Sequence, residues 1–301
     1  AGALVELGIL PPDDAYALLC RERQPHNDAE EAAARSIVQR LGGHAMAIDQ
    51  ARAACARQGF SGFLARLDQH DQNALALSAT LAGELPSGHE RDIAKTFLGS
   101  INGLSPDAMA LLTLSAQLSS APISRNLITA CKQAHDQAAQ QDAAMAADPN
   151  AALFAAQDWA DLGMTELSAC SLADPADAAP ATPDARIEPA ITVHTLIARV
   201  ARWHSKSQLL GFWRTLFTRL TRRPTAHASQ AAAPWRQAAV GALMHTLQDS
   251  GDMSQHAALV HDAQHARQLC EQADTLEEAM VLAYVAQYDD AKGLYALSRT
   301  A

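Results

Sequence analysis

The chain has 301 residues and a formal net charge of -10, and 49% of its residues are hydrophobic although only 5% are aromatic. No apolar run approaches the roughly 20 residues that span a bilayer, so the composition argues against a membrane-spanning protein. A core built mainly from alanine favours close-packed helices, and the length favours two or three domains.

The first predicted domain covers residues 1–85 and is a bundle of four short helices. Proline in the entry turn and acidic residues in the first turn predict that the first helix begins at Pro11-Pro12-Asp13-Asp14. Paired glycines and a later single glycine end the next two helices. The second helix is predicted at Asp28–Leu41 and the third at His44–Gln58. The fourth is short and carries the hydrophobic residues Phe63, Leu64 and Leu67.

A winged-helix domain with a short β-wing is predicted for residues 86–205. Its first helix carries Ile93, Phe97 and Ile101 on one face, and Ser105-Pro106-Asp107 is a typical start for the next. A third helix follows at about Ser124–Asp142, and a fourth carries Leu153, Phe154 and Trp159. Two brief strands, Leu167–Leu172 and Ile191–His194, are predicted to flank the Pro/Ala/Asp-rich stretch Ala173–Pro189, which we expect to be a mobile loop.

A basic band follows, because no Asp or Glu occurs between Pro189 and Gln248. Its central part, residues 206–230, is predicted to be a basic linker helix. The band pairs with acidic protein surfaces in one interpretation and contacts nucleic acid in another. Its candidate interaction residues are Arg199, Arg202, Lys206, Arg214, Arg219, Arg222 and Arg223.

Residues 231–301 resemble the start of a tetratricopeptide array. Tyr288, Ala291, Tyr295 and Ser298 occupy the positions where small residues let paired helices approach and rings fill the seam. The resemblance predicts helical repeats that bind a protein ligand.

Candidate chemistry is sparse. His261-Asp262-Ala263-Gln264-His265 has the spacing of a zinc-binding helix, but no third ligand is placed, so no metal site is predicted. No phosphate-binding loop or catalytic set is present in the sequence, and we expect no enzyme activity from this chain alone. Five scattered cysteines, an absent initiating Met and an absent signal sequence indicate an internal fragment of a cytoplasmic protein.

Two segments about 150 residues apart carry the most specific pattern. They read Gly43-His44-Ala45-Met46-Ala47-Ile48 and Val193-His194-Thr195. Together they resemble the two sensor motifs of the NB-ARC class of STAND signalling NTPases, one opening a helix of a helical domain and the other lying in a winged-helix domain. The family's proline and aspartate are Ala45 and Thr195 here.

The resemblance implies a regulatory, nucleotide-sensing and oligomerisation portion of such an NTPase, without its phosphate-binding domain. Gly43, Ala45 and Met46 would lie near the nucleotide, and His194 would reach the terminal phosphate of ADP and hold a closed state. ADP or ATP would bind only together with the missing upstream nucleotide-binding domain, which is the first expected partner. The others are a protein ligand of the repeats and, on activation, further copies of the chain; membrane is excluded and nucleic acid is not expected.

A nucleotide-independent function is the alternative. The same helices would then form a scaffold or a winged-helix transcriptional regulator, and the basic band would contact nucleic acid or an acidic partner.

Overall fold

The computed structural model describes residues 9–69, 71–81, 85–140, 149–178, 188–217, 233–248 and 259–291. Within these ranges the protein is mainly helical, with one small antiparallel sheet, which confirms the predicted class. None of the described helices has the length and apolarity needed to cross a membrane. The described elements are α1 Pro12–Leu19, α2 Asp28–Arg40, α3 Ala45–Gln58, α4 Phe60–Asp68, α5 Gln72–Thr80, α6 Glu90–Asn102, α7 Pro106–Ser115, β1 Ile123–Ser124, α8 Arg125–Gln140, α9 Pro149–Ala169, β2 Asp174–Ala178, β3 Glu188–Thr192, α10 Thr195–Phe217, α11 Ala233–Gln248, α12 Leu259–Leu269 and α13 Leu276–Ala291.

The contacts divide the chain into two compact units. Unit 1 comprises Ala1–Leu104 with Ala169–Leu172, and unit 2 comprises Ser105–Ser168 with Ala173–Ala301. The boundary after Leu104 lies one helix later than the domain boundary predicted after residue 85. The reason is α6, which packs against α3, α4 and α5 within unit 1.

Helix starts in unit 1 follow from capping side chains. Asn27 accepts a hydrogen bond from the Glu30 amide at 2.9 Å at the start of α2, and three acidic residues occupy that first turn. Asp71 caps α5 in the same way. These side chains satisfy amides that have no partner inside the helix.

The core of unit 1 is built from α2, α3, α4 and α6. Most of the largest fully buried side chains belong to these helices, and they include the rings of Phe60 and Phe63 on α4 and of Phe97 on α6. Burial of one such ring contributes roughly 1.5–3 kcal/mol. The central residues are Ile37, Ile48, Phe60, Phe63, Leu67, Ile93, Phe97 and Ile101.

Unit 2 is held together by polar contacts as well as by its hydrophobic core. Ser105 caps α7 and also donates from its hydroxyl to Glu166 at 2.6 Å, which ties the start of α7 to α9. In α11, Trp235 stacks on His135 of α8 at 4.0 Å and on Trp159 of α9 at 5.6 Å between ring centroids. Helix α11 is thereby packed against α8 and α9, which lie between β1 and β2 in the chain.

The sheet of unit 2 has the strand order β1-β3-β2, with antiparallel neighbours. The expectation of a first wing strand at Leu167–Leu172 is wrong, because α9 continues to Ala169 and β2 lies at Asp174–Ala178. Pro175 is tolerated there because β2 is an edge strand, where a missing amide breaks no ladder bond on the open side. The short strand β1 was not predicted.

The C-terminal helices follow the predicted helical character but not the predicted boundaries. Helix α10 runs without a break across residue 206, the expected start of the basic linker helix. In α13, Tyr288 is buried, in keeping with a ring in a helix seam. The last two positions of the repeat pattern, Tyr295 and Ser298, lie outside the described residues, as do Arg219, Arg222 and Arg223 of the basic band.

Candidate functional site

The first sensor-like motif lies where α2 ends and α3 begins. Gly42 and Gly43 have φ angles of +57° and +67°, which side-chain-bearing residues rarely adopt. Space is restricted as well, since a Cβ atom on Gly42 would lie 2.5 Å from the His89 ring and one on Gly43 would lie 2.5 Å from the Leu10 carbonyl oxygen. Both positions therefore require glycine for conformation and for close approach.

His44 has a structural role at this motif. Its Nδ1 accepts a hydrogen bond from the Ala47 amide at 3.2 Å and caps α3, and its ring packs edge-to-face on Phe97. After it, Ala45 is exposed and Met46 is half-buried, while Ala47 and Ile48 belong to the core. Ala47 and Ile48 therefore have a packing role.

A cleft of about 470 Å³ opens beside the motif and is lined entirely by unit 1. Its size falls in the range of small-molecule sites, and its walls are mostly apolar with a few polar groups, as such sites usually are. The lining residues are Ile9, Leu10, Pro12, Tyr16, Arg35, Val38, Gln39, Gly42, Pro86, Ser87 and His89.

Three side chains give the cleft its polar character. The Arg35 guanidinium lies 4.7 Å from the centre of the Tyr16 ring and pairs with Glu31 at 2.9 Å. The His89 Nδ1 donates to the Arg40 carbonyl oxygen at 2.9 Å, so the neutral ring presents Nε2 as an acceptor. The cleft can therefore offer an aromatic surface, a cation and an acceptor to a bound molecule.

The second motif lies in unit 2, between β3 and α10. The backbone carbonyl of His194 accepts from the Ala198 amide at 3.0 Å, and its Nδ1 accepts from the Leu196 amide at 3.2 Å. Since an acceptor nitrogen carries no proton, the neutral ring holds its proton on Nε2. The side chain of His194 is exposed, as is Thr195 after it, so His194 is a helix-capping histidine with one donor left over.

The basic band does not form a single exposed surface in the part of α10 whose side chains are described. Arg202 donates to the Ala116 carbonyl oxygen, and burial lowers its pKa. Arg199 is half-buried and Lys206 is exposed. Arg214 lies in α10, but its side chain is outside the described residues. At Arg202 the band thus has a structural function that its charge pattern did not indicate.

The two histidines with zinc-like spacing are used differently. His265 is fully buried, and both of its ring nitrogens make hydrogen bonds within unit 2. Burial lowers the pKa of His265 to about 4 and raises that of Asp262 to about 7, with Glu188 adding to the second shift. In the described ranges, no three His, Cys, Asp or Glu side chains are gathered as metal ligands would be.

Sequence reasoning missed the cleft residues and the hydrogen-bonding role of His265. His89 and Gly42 are 47 positions apart in the chain, and only the folding of unit 1 brings them together. The turn before His89 had a local sequence signal, namely Gly88, which adopts a φ of +84° in the structure. No comparable signal identified the partners of His265, which lie 143 and 146 residues away.

Comparison with known proteins identified no relative of this chain. No protein-family model, no curated protein and no solved structure matches the chain. The two sensor-like motifs and their surroundings therefore carry the functional argument alone.

Proposed function

We propose that this chain is the regulatory, nucleotide-sensing portion of a STAND-type signal-transduction NTPase. In this proposal ADP holds a closed state, and a protein ligand of the C-terminal helices favours opening. The observation that carries the proposal is His194: an exposed histidine after a strand, with Nδ1 engaged by the helix and its proton on Nε2. That ring can donate a hydrogen bond to a phosphate oxygen without losing its cap.

The order of elements in unit 2 supports a winged-helix assignment. A helix, a strand, two helices and a hairpin follow one another as α7, β1, α8, α9 and β2–β3, and the second hairpin strand pairs with the first strand. In that arrangement the third helix is α9, not α8 as the sequence suggested. Helix α9 contains three acidic residues and no Lys or Arg, so insertion into a DNA groove would lack electrostatic drive.

The cleft of unit 1 supports the nucleotide-sensing part of the proposal. It lies beside Gly42, next to the motif that in NB-ARC proteins approaches the adenine. The Tyr16 ring and the apolar walls suit a flat base, and the Arg35 guanidinium suits an anionic group. In this proposal the upstream nucleotide-binding domain would hold the rest of the nucleotide.

The test is ADP binding by calorimetry on the protein that includes its nucleotide-binding domain. We expect His194→Ala to weaken binding tenfold or more, about 1.4 kcal/mol. His194→Ser should weaken it similarly, because serine restores the helix cap but not the Nε2 donor. His245→Ala, on an exposed site of α11, is the control.

Unchanged ADP affinity in both His194 variants would remove the sensor role. Salt-sensitive retention of the chain on DNA would then favour the nucleotide-independent regulator.

A further inference from the structure

The turn of residues 116–122, between α7 and β1, is held from two directions. From α12, the His265 Nδ1 accepts from the Ser119 amide at 3.2 Å and from the Ser119 hydroxyl at 2.7 Å. The His265 Nε2 donates to the Pro122 carbonyl oxygen at 3.1 Å. A single neutral tautomer satisfies all three bonds, and the ring is fully buried.

Further bonds attach the same turn to α12 and to α10. Gln268 of α12 donates to the Leu118 carbonyl oxygen at 3.3 Å. Arg202 of α10 donates to the Ala116 carbonyl oxygen. The turn therefore joins α12, in the repeat-like region, to the helix that His194 caps.

The turn also leads directly into the sheet. Ile123 and Ser124 form β1 and pair with Ile191 and Ala190 of β3. β3 ends at Thr192, two residues before His194. Because strand pairing and packed turns are stiff, a displacement at the turn reaches β3 within a few residues.

We propose that His265 is a positioning residue that couples the repeat-like helices to His194. His265 holds the 116–122 turn in place, and the turn holds β1 in place. β1 in turn positions the end of β3, which leads into His194 at the start of α10. A protein ligand that draws α12 away from the turn leaves the Pro122 carbonyl and the Ser119 hydroxyl without their partner and loosens the β1–β3 pair. The functional consequence of this coupling, release of a nucleotide sensor, rests on the function proposed above.

The coupling can be measured on this chain without nucleotide, by hydrogen exchange of peptides covering residues 188–198, 259–269 and 28–58. We expect His265→Ala to accelerate exchange in 188–198 tenfold or more. Ser119→Ala removes the hydroxyl, which donates to His265 and accepts from the Ala121 amide, but it keeps the Ser119 amide donor, so it should give a smaller acceleration in the same peptide. His265→Gln, which keeps an amide donor and an acceptor, should fall between wild type and His265→Ala, and the exposed His245→Gln should match wild type.

Faster exchange confined to 259–269 would overturn the proposal, because α12 would then loosen without affecting β3. Equal acceleration in 28–58, which lies in unit 1, would also overturn it, since the effect would be general destabilisation. If His265→Ala does not fold, Ser119→Ala decides between these outcomes. If the His194 variants bind ADP as wild type does while His265→Ala still accelerates exchange in 188–198, the proposed function fails and the mechanical coupling stands. If the His194 variants lose ADP affinity while exchange in 188–198 is unchanged, the sensor role stands and the coupling through His265 is refuted.

Discussion

Replacing His265 or Asp262 should change the pH dependence of stability in opposite directions. The two residues lie one turn apart on α12 and are buried. Desolvation lowers the pKa of His265 from 6.5 to about 4, so the stability it contributes is complete above pH 6.5 and is lost as the pH falls towards 4. Desolvation raises the pKa of Asp262 from 3.8 to about 7, so its contribution is complete below pH 3.8 and is lost as the pH rises through 7.

The magnitudes follow from the size of these pKa changes. At 1.36 kcal/mol for each unit of pKa, the full effect is about 3 kcal/mol for His265 and about 4 kcal/mol for Asp262. Between pH 5 and pH 6.5 both groups are active and change stability by about 2 kcal/mol each, with opposite sign. In the wild-type protein the two effects nearly cancel over this interval.

The assay is urea unfolding followed by circular dichroism at pH 5 and pH 6.5. Relative to wild type, His265→Gln should lose about 2 kcal/mol of stability as the pH rises over this interval, because the Asp262 effect is unmasked. Asp262→Asn should gain about 2 kcal/mol over the same interval. Comparison with wild type removes the effect of other groups, such as His204, whose pKa burial also lowers.

The reasoning is refuted if the two variants change stability with pH in the same direction, or if neither differs from wild type. The double variant provides a further check, since it lacks both effects and should follow the wild-type slope.

Two predictions concern backbone and capping geometry, and both can be measured by urea unfolding. Gly43→Ala should destabilise the protein by about 2–4 kcal/mol, because it combines a positive φ with a Cβ atom 2.5 Å from a backbone oxygen. Gly241→Ala, where nothing lies within 4 Å in the interior of α11, should instead stabilise it by about 0.5–1 kcal/mol; equal effects would contradict the geometry. Ser105→Ala should cost about 1–2 kcal/mol by removing a helix cap and a hydrogen bond to Glu166, whereas the exposed helical Ser61→Ala should be neutral or slightly stabilising.

Helix positions were predictable because their determinants are local. Asn27 and Ser105 cap through bonds to amides three residues ahead, so the sequence near each cap is sufficient to place the helix start. Gly42, Gly43 and Gly59 end helices for an equally local reason, since each adopts a positive φ.

The sheet was less predictable because its determinants are not local. β1 has two residues, and pairing with Ile191 rather than its own pattern makes it a strand. β2 contains Asp174, Pro175 and Asp177, which argue against a strand, yet it pairs along its whole length with β3. β2 tolerates these residues because it lies at the edge of the sheet. The five residues of a strand do not reveal whether it will lie at an edge or in the centre of a sheet.

The candidate sites also differ in whether their determinants are local in the sequence. The sequence identified Gly43 and His194 because each lies in a short motif at the start of a helix. It singled out the pair His261 and His265 for its zinc-like spacing, found no third ligand, and assigned the pair no role. The role of His265 depends instead on partners more than 140 residues away in the chain, at Ser119 and Pro122.

His44 and His194 cap α3 and α10 through the same atom, and this limits how His194 can act as a sensor. In both, Nδ1 accepts a backbone amide at 3.2 Å, which requires an unprotonated Nδ1. A doubly protonated ring would donate from both nitrogens and would have to release the Leu196 amide. The ring that keeps this cap carries its proton on Nε2, so under the proposed function His194 would recognise a phosphate through a hydrogen bond donated from Nε2.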